Sequence, residues 1–252
     1  MSGASSEGSS FGSADVSSSK APPLAPQPPV SVAPPGALTK QQVCDTLDSI
    51  PTFNLVDAKS GKIVGSADEN GEECVRWWLD ADEAGSALVV AQLAKPDLNL
   101  RLAVTPLGTS FALTEGWQST PSLVPLRLHA SKIVVAGVAD DLGASADNVV
   151  PIFFCDELGN ARVRPFFTSR NDLRDTWVAA GRTAESVPTE VTVVDLKSLV
   201  SKMRAGFGGI DWKTSMFIAS QSSIAKAQEI QEVEAKEKGK EFDAEAEPPP
   251  LE

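Results

Sequence analysis

Apolar residues fall in two rhythms along this chain: short strand-like runs, and blocks where they return every third or fourth position. Strand-like runs lie at 53–56, 62–64, 73–79, 98–104, 123–128, 151–155, 162–167 and 190–194. Helical spacing predicts helices at 41–47, after Asp80, at 130–142, from Ser169 through Ala180, and from Leu196 to about Arg204. Asp80 and Ser169 are good N-caps, with Glu83 and Asp172 three residues on, where a capping box places its acid. The helix after Asp80 sets Ala84, Ala87, Leu88 and Ala91 on one stripe and stops before Pro96. Pro106 opens a short helical turn ending near Leu113, Asp195 caps the helix at Leu196, and Gly181 suits the C′ position of the helix before it. Gly159 and Asn160 tolerate positive φ and predict a hairpin turn over 157–160. Residues from Ser215 onward predict one more helix, weakly anchored by Ile218, Ile224, Ile230 and Val233.

The pattern repeats at an offset of 89 residues. Trp77-Trp78-Leu79-Asp80-Ala81-Asp82-Glu83-Ala84 aligns at that offset with Phe166-Phe167-Thr168-Ser169-Arg170-Asn171-Asp172-Leu173. Leu102-Ala103-Val104-Thr105-Pro106-Leu107 aligns in the same register with Val191-Thr192-Val193-Val194-Asp195-Leu196. Ile50-Pro51-Thr52-Phe53 resembles Val150-Pro151-Ile152-Phe153 at a longer offset, so the first unit carries an insertion. Each unit reads hairpin, helix, strand, helix. The predicted class is α+β: two similar units, about 50–113 and 150–204, packed as one body around a mixed sheet. A duplicated unit packed on itself suits a scaffold or binding body better than a single-site enzyme.

Composition trims the ends. Residues 1–42 are Ser-, Ala- and Pro-rich and predict a disordered leader. Residues 43–205 hold the duplicated domain, and 206–252 read as helical and then as a disordered acidic tail. The net charge is −12, and residues 229–252, with nine acids against three lysines, carry half of it. That balance argues against nucleic acid and against anionic lipid as partners. No apolar run approaches the ~18 residues of a membrane span. The N-terminus lacks a secretory pattern. It is rich in Ser and Ala, as a plastid transit segment is, but has no Arg, and Lys20 and Lys40 are balanced by Glu7 and Asp15. Cys44, Cys74 and Cys155 are widely spaced; they read as buried thiols, with a Cys44–Cys74 disulfide as the alternative.

Candidate chemistry is sparse. His129 is the only histidine and has no serine-elbow motif near it. Gly206-Phe207-Gly208-Gly209 lacks the Lys-Ser/Thr of a phosphate loop and follows a helix. Asp140-Asp141 read as a solvated helix end, and Asp80, Asp82 and Glu83 as acids favoured at a helix N-terminus. No metal, nucleotide or redox cofactor is called for. The aromatic pairs Trp77-Trp78 and Phe166-Phe167 are the remaining candidates. Neighbours in a strand point to opposite faces, so one member of each pair is expected in the core, while the other either packs under a helix or lies exposed as a binding surface bordering a groove for extended client segments.

The same pieces carry a family resemblance. The Pro-x-Phe strands at Pro51 and Pro151, the aromatic pairs, the helices capped by Asp80 and Ser169, and the Val-rich strands leading to Leu107 and Leu196 resemble the Tic twenty-two (Tic22) family over about residues 43–205. Members of that family are linked to protein import across the chloroplast envelope. The resemblance implies a non-enzymatic, chaperone-like factor in the intermembrane space of a plastid envelope. Its partners would be unfolded precursor proteins and translocon components, with no membrane span of its own. The alternative is a structural accessory subunit of a plastid membrane complex, such as a photosynthetic one.

Overall fold

A computed structural model describes residues 34–68, 70–119, 122–138, 142, 149–160, 162–188 and 191–245, with side chains described through residue 237. Residues 1–33, Asp140-Asp141 and the last seven positions lie outside the described residues.

The fold is α+β, with two mixed sheets where the sequence suggested one. The first holds β1 (Pro51–Asp57), β2 (Ser66–Ala67), β3 (Glu73–Trp78), β4 (Leu100–Pro106) and β5 (Leu126–His129). The second holds β6 (Pro151–Phe154), β7 (Arg164–Phe167), β8 (Thr192–Asp195) and β9 (Ser215–Ile218). Seven α-helices are described: α1 (Lys40–Leu47), α2 (Ala81–Ala94), α3 (Leu107–Thr114), α4 (Lys132–Ala136), α5 (Arg170–Ala179), α6 (Leu196–Ala205) and α7 (Gln221–Glu245).

Both sheets are connected in one order. β1 lies antiparallel to β3 and to β4, and β5 runs parallel to the far side of β3. Likewise β6 lies antiparallel to β7 and β8, and β9 runs parallel to β7. The registers correspond: Phe53 faces Trp78 as Phe153 faces Phe167, and Trp77 pairs with Leu128 as Phe166 pairs with Phe217. At the entry to α3 the Leu107 N–H donates to Ile50 O at 2.8 Å, and at the entry to α6 the Leu196 N–H donates to Val150 O at 2.9 Å. The 89-residue spacing therefore reaches the closing strands, which the sequence did not show. Residues 215–218 form a parallel strand instead of opening the last helix, and β5 closes the first sheet instead of standing between units.

Other local expectations also change. Ile63 makes an isolated bridge to Val56, so residues 62–64 are not a full strand. Gly159 has φ −78°, and a 3-10 turn at Asp156–Leu158 reverses the chain without a positive φ there. Residues 34–42, assigned to the leader, are ordered: Leu38 is buried, its N–H donates to Met203 O at 3.0 Å, and Thr39 caps α1 through a closed capping box. The last helix continues through Glu245, into the stretch read as tail.

Three apolar clusters hold the body together. The largest lies between the sheets and joins Trp77, Leu128, Ile152, Phe166 and Phe217 to residues of α1, α3 and α6. At its helix crossing, a Cβ on Gly108 would stand 2.2 Å from Cys44 O, so α1 and α3 touch at a distance only glycine allows. The second cluster covers the far face of the first sheet, with Phe53, Leu55, Trp78, Leu100 and Leu102 under α2 and Ala227 of α7. The third covers the far face of the second sheet, with Phe153, Phe167, Leu173 and Trp177, reached by Val134 and Val138. The covering helices are thus exchanged. Helix α4 follows the first sheet and packs on the second, while α7 follows the second and packs on the first.

Candidate functional site

Alternation along β3 and β7 does what the sequence implied, but both faces of each sheet are covered. Trp77 and Phe166 enter the cluster between the sheets; Trp78 and Phe167 enter the two outer clusters. All four side chains are 0–3% exposed. Of the two readings of the outer member, packing under a helix is the one found, and the open groove at Trp77, Trp78, Phe166 and Phe167 is corrected. The outer member is closed over by helices, Trp78 with Ala81 and Ala84 of α2, and Phe167 with Leu173 and Trp177 of α5. Phe166 stacks on Phe217 with centroids 5.1 Å apart and planes at 20°. Such packing is core chemistry.

Exposed apolar surface lies elsewhere. Helix α2 turns Ala84 and Ala91 into the second cluster, yet Val89, Val90 and Leu93 on it are 56, 66 and 79% exposed. The run Ala87-Leu88-Val89-Val90-Ala91-Gln92-Leu93-Ala94 is apolar on more than one face, and a helix apolar all round is a buried one unless something else covers it. That signal is present in the sequence beside the inward stripe of Ala84, Ala87, Leu88 and Ala91. Ile133 on α4 is also exposed.

A polar cavity of about 440 Å3 opens beside β3, β5 and α4, lined by Asp68, Arg76, Arg127, His129, Lys132 and apolar neighbours. Its arginines are committed to the fold. Arg127 Nη1 stands 2.8 Å from Asp68 Oδ2 and its Nη2 stands 3.6 Å from Glu72. Arg76 Nη2 donates to Ala67 O at 2.9 Å. The Asp68 carboxyl is held below its ordinary range, first by the Glu72 backbone N–H and then by Asn70 and Arg127. His129 Nε2 lies 3.3 Å from Glu83 Oε2. The capping-box expectation changes here: Glu83 accepts from the Lys132 N–H at 2.7 Å and the Ser131 hydroxyl at 3.3 Å, at the start of α4 instead of its own helix. Asp80 alone caps α2, accepting from Asp82 and Glu83. These contacts tie loops and helix ends together and align no nucleophile with a base.

Cys44, Cys74 and Cys155 are free and buried. Burial, reinforced by Asp48 and Asp45, pushes the Cys44 thiol up, and burial with the Glu157 contact does the same to Cys155. Both are thereby turned away from thiolate chemistry. Among the described residues no group of three or more His, Cys, Asp or Glu side chains is gathered to hold a metal, and no helix is long and apolar enough to cross a membrane.

The fold is similar to two solved structures. Tic22 from Anabaena, a protein-transport protein, superposes with a TM-score of 0.53 at 16% identity, covering 84% of this chain and all of that one. Tic22 from Plasmodium falciparum superposes with a TM-score of 0.57 at 15% identity, covering 75% of this chain and 97% of that one. No curated protein matches in sequence. The model of the Tic22-like family matches residues 8–232, nearly the whole chain and both sheets with all their connections. The chain belongs to the Tic22-like family.

Proposed function

We propose that this protein holds unfolded precursor proteins during import into a plastid, in the space between the envelope membranes, as a non-enzymatic, chaperone-like factor beside translocon components. Family membership and the transport role of the Anabaena relative support an import role. The observation that carries the holding step is the apolar stripe Val89, Val90 and Leu93 on α2, exposed on a helix whose other side is anchored in the core. Weak, sequence-tolerant binding of unfolded chain needs an apolar surface on a rigid element, and a contiguous exposed patch is the usual mark of one.

The test is suppression of aggregation of a denatured model enzyme, compared between the wild type and the triple variant Val89→Ser/Val90→Ser/Leu93→Ser. The expected result is suppression by the wild type and its loss in a variant that still unfolds at nearly the wild-type temperature. A wild type that suppresses nothing overturns the reading. If it instead recovers one stable partner complex from intact plastids and no precursors, the accessory-subunit alternative replaces it.

A further inference from the structure

The cover that α7 lays over the first sheet is lopsided. Beneath it lie Phe53, Leu55 and Leu102, all buried in the second cluster, and Val104 at its margin. Above, α7 contributes buried Ala227 and half-buried Ile230, with Ile224 reaching the cluster between the sheets. Compare α6, which sinks Leu196, Leu199, Val200 and Met203 into the core from ten residues. The rest of the α7 attachment is polar. Ser223 Oγ donates to Leu79 O at 2.8 Å, the Gln221 N–H reaches Asp172 at 3.4 Å, and Glu234 pairs with Arg101 of β4. Two hydrogen bonds, one of them long, and a partly exposed ion pair hold little against exchange with solvent. A weakly held, charged helix thus covers a strongly apolar sheet face.

We propose that α7 is a releasable cover, and that lifting it from β1 and β4 opens the face of Phe53, Leu102 and Val104 to an extended apolar segment of an unfolded chain. The inference rests on the holding reading above and extends it. Helix α7 lies against α2, so the opened face joins the side of the molecule that carries α2. The edge of the sheet opens with it. Along β4 the Arg101, Ala103 and Thr105 backbones pair inward with β1, as the alternation set by the Ala58 N–H on Asn99 O and the Leu107 N–H on Ile50 O requires. Leu102 and Val104 therefore turn their N–H and C=O away from β1. Pro106, with no N–H, ends that edge. An extended segment would meet apolar side chains and, at Leu102 and Val104, backbone groups turned outward from the sheet edge together.

The test locks the cover. In Arg101→Cys/Glu234→Cys the new thiols replace a contacting ion pair, and the three native cysteines are buried, so a short bismaleimide bridges α7 to β4. The probe is reduced, carboxymethylated α-lactalbumin, a permanently unfolded chain. Hydrogen exchange is read on the unbridged protein. Bridging is expected to cut probe capture about tenfold, as the competent fraction falls by that factor, with amides 223–234 exchanging faster than those of α6 before bridging. Equal capture by the bridged and unbridged forms overturns the cover and leaves the holding reading standing. Capture by neither form, nor by the wild type, overturns both. Exchange in α7 as slow as in α6 overturns the cover whatever the capture shows.

Discussion

Glu83, in the first turn of α2, accepts the backbone N–H of Lys132 at 2.7 Å and so caps a different helix, α4. Asp172, in the first turn of α5, does the same for Gln221 at 3.4 Å, at the start of α7. The two accepting carboxylates stand 89 residues apart, and so do the two N–H groups that donate to them. Each acid docks one of the two exchanged helices beside the helix that carries it. Glu83→Ala should therefore lower stability by about 1 kcal/mol, the usual worth of a cap, and Glu83→Gln by less. Urea unfolding reads both, and an unchanged midpoint for Glu83→Ala would remove the cap from the account.

The buried aromatics and the exposed stripe should behave oppositely. Trp77→Ala, Trp78→Ala, Phe166→Ala and Phe167→Ala should each cost ~3–5 kcal/mol, since each leaves a cavity in a closed cluster. Val90→Ser and Leu93→Ser should stay within about 0.5 kcal/mol of wild type. Thermal unfolding of the six variants separates the classes. A mild effect at Trp78 or Phe167 would show that the outer faces are less tightly closed than the burial implies.

Two glycines make a paired forecast. Gly108→Ala places a methyl 2.2 Å from Cys44 O and 2.4 Å from Asp48 Oδ1, so α1 and α3 must part. A loss of about 2–3 kcal/mol is expected, the upper range of overpacking. Gly85, inside α2, has open space where its Cβ would be. Gly85→Ala should raise stability by about 0.5–1 kcal/mol through helix propensity and a less flexible unfolded chain. Calorimetry on both variants checks the signs.

Two carboxylates set opposite slopes with pH. Asp68 is held below its ordinary value, first by the Glu72 N–H, so the stability it contributes is present above the unfolded-state pKa. That contribution fades as pH falls through its lowered value. Asp48 is pushed up, first by burial and then by Asp45, so its share is greatest at low pH and is lost as pH rises through its raised value. Asp68→Asn should flatten the acid side of a urea-midpoint profile, and Asp48→Asn should flatten the fall above the usual carboxylate range. A wild-type acid limb unaltered in Asp68→Asn would sink the first assignment.

What was legible in the sequence was mostly local. Caps at Asp80, Ser169 and Asp195, the αL residue at Gly181 and the Pro106 entry to α3 all depend on neighbours a few residues away, and all are found. The closing strands were harder. The run at 123–128 does read as a strand, but not as a member of the first sheet, and Ser215-Met216-Phe217-Ile218 reads as a helix; each is placed by parallel pairing with a distant partner, which four residues do not announce. The site expectation failed for a related reason. Alternation correctly sent Trp77 and Trp78 to opposite faces, but whether the second face is open depends on where α2 and α7 dock, and the acid at Glu83 gave no sign that it served another helix. The stripe on α2 was missed although its residues are contiguous, because an apolar helix reads as a core helix until its neighbours are placed.

The exchange of α4 and α7 between the sheets makes the molecule a clasp. Val138 and Ala227, again 89 residues apart, each close the sheet that the other one's chain segment built. A chain severed between α4 and β6 would leave each fragment with a bare apolar face and the lid belonging to the other. Each fragment alone should be sticky, and the two mixed together should find one another and rebuild the whole.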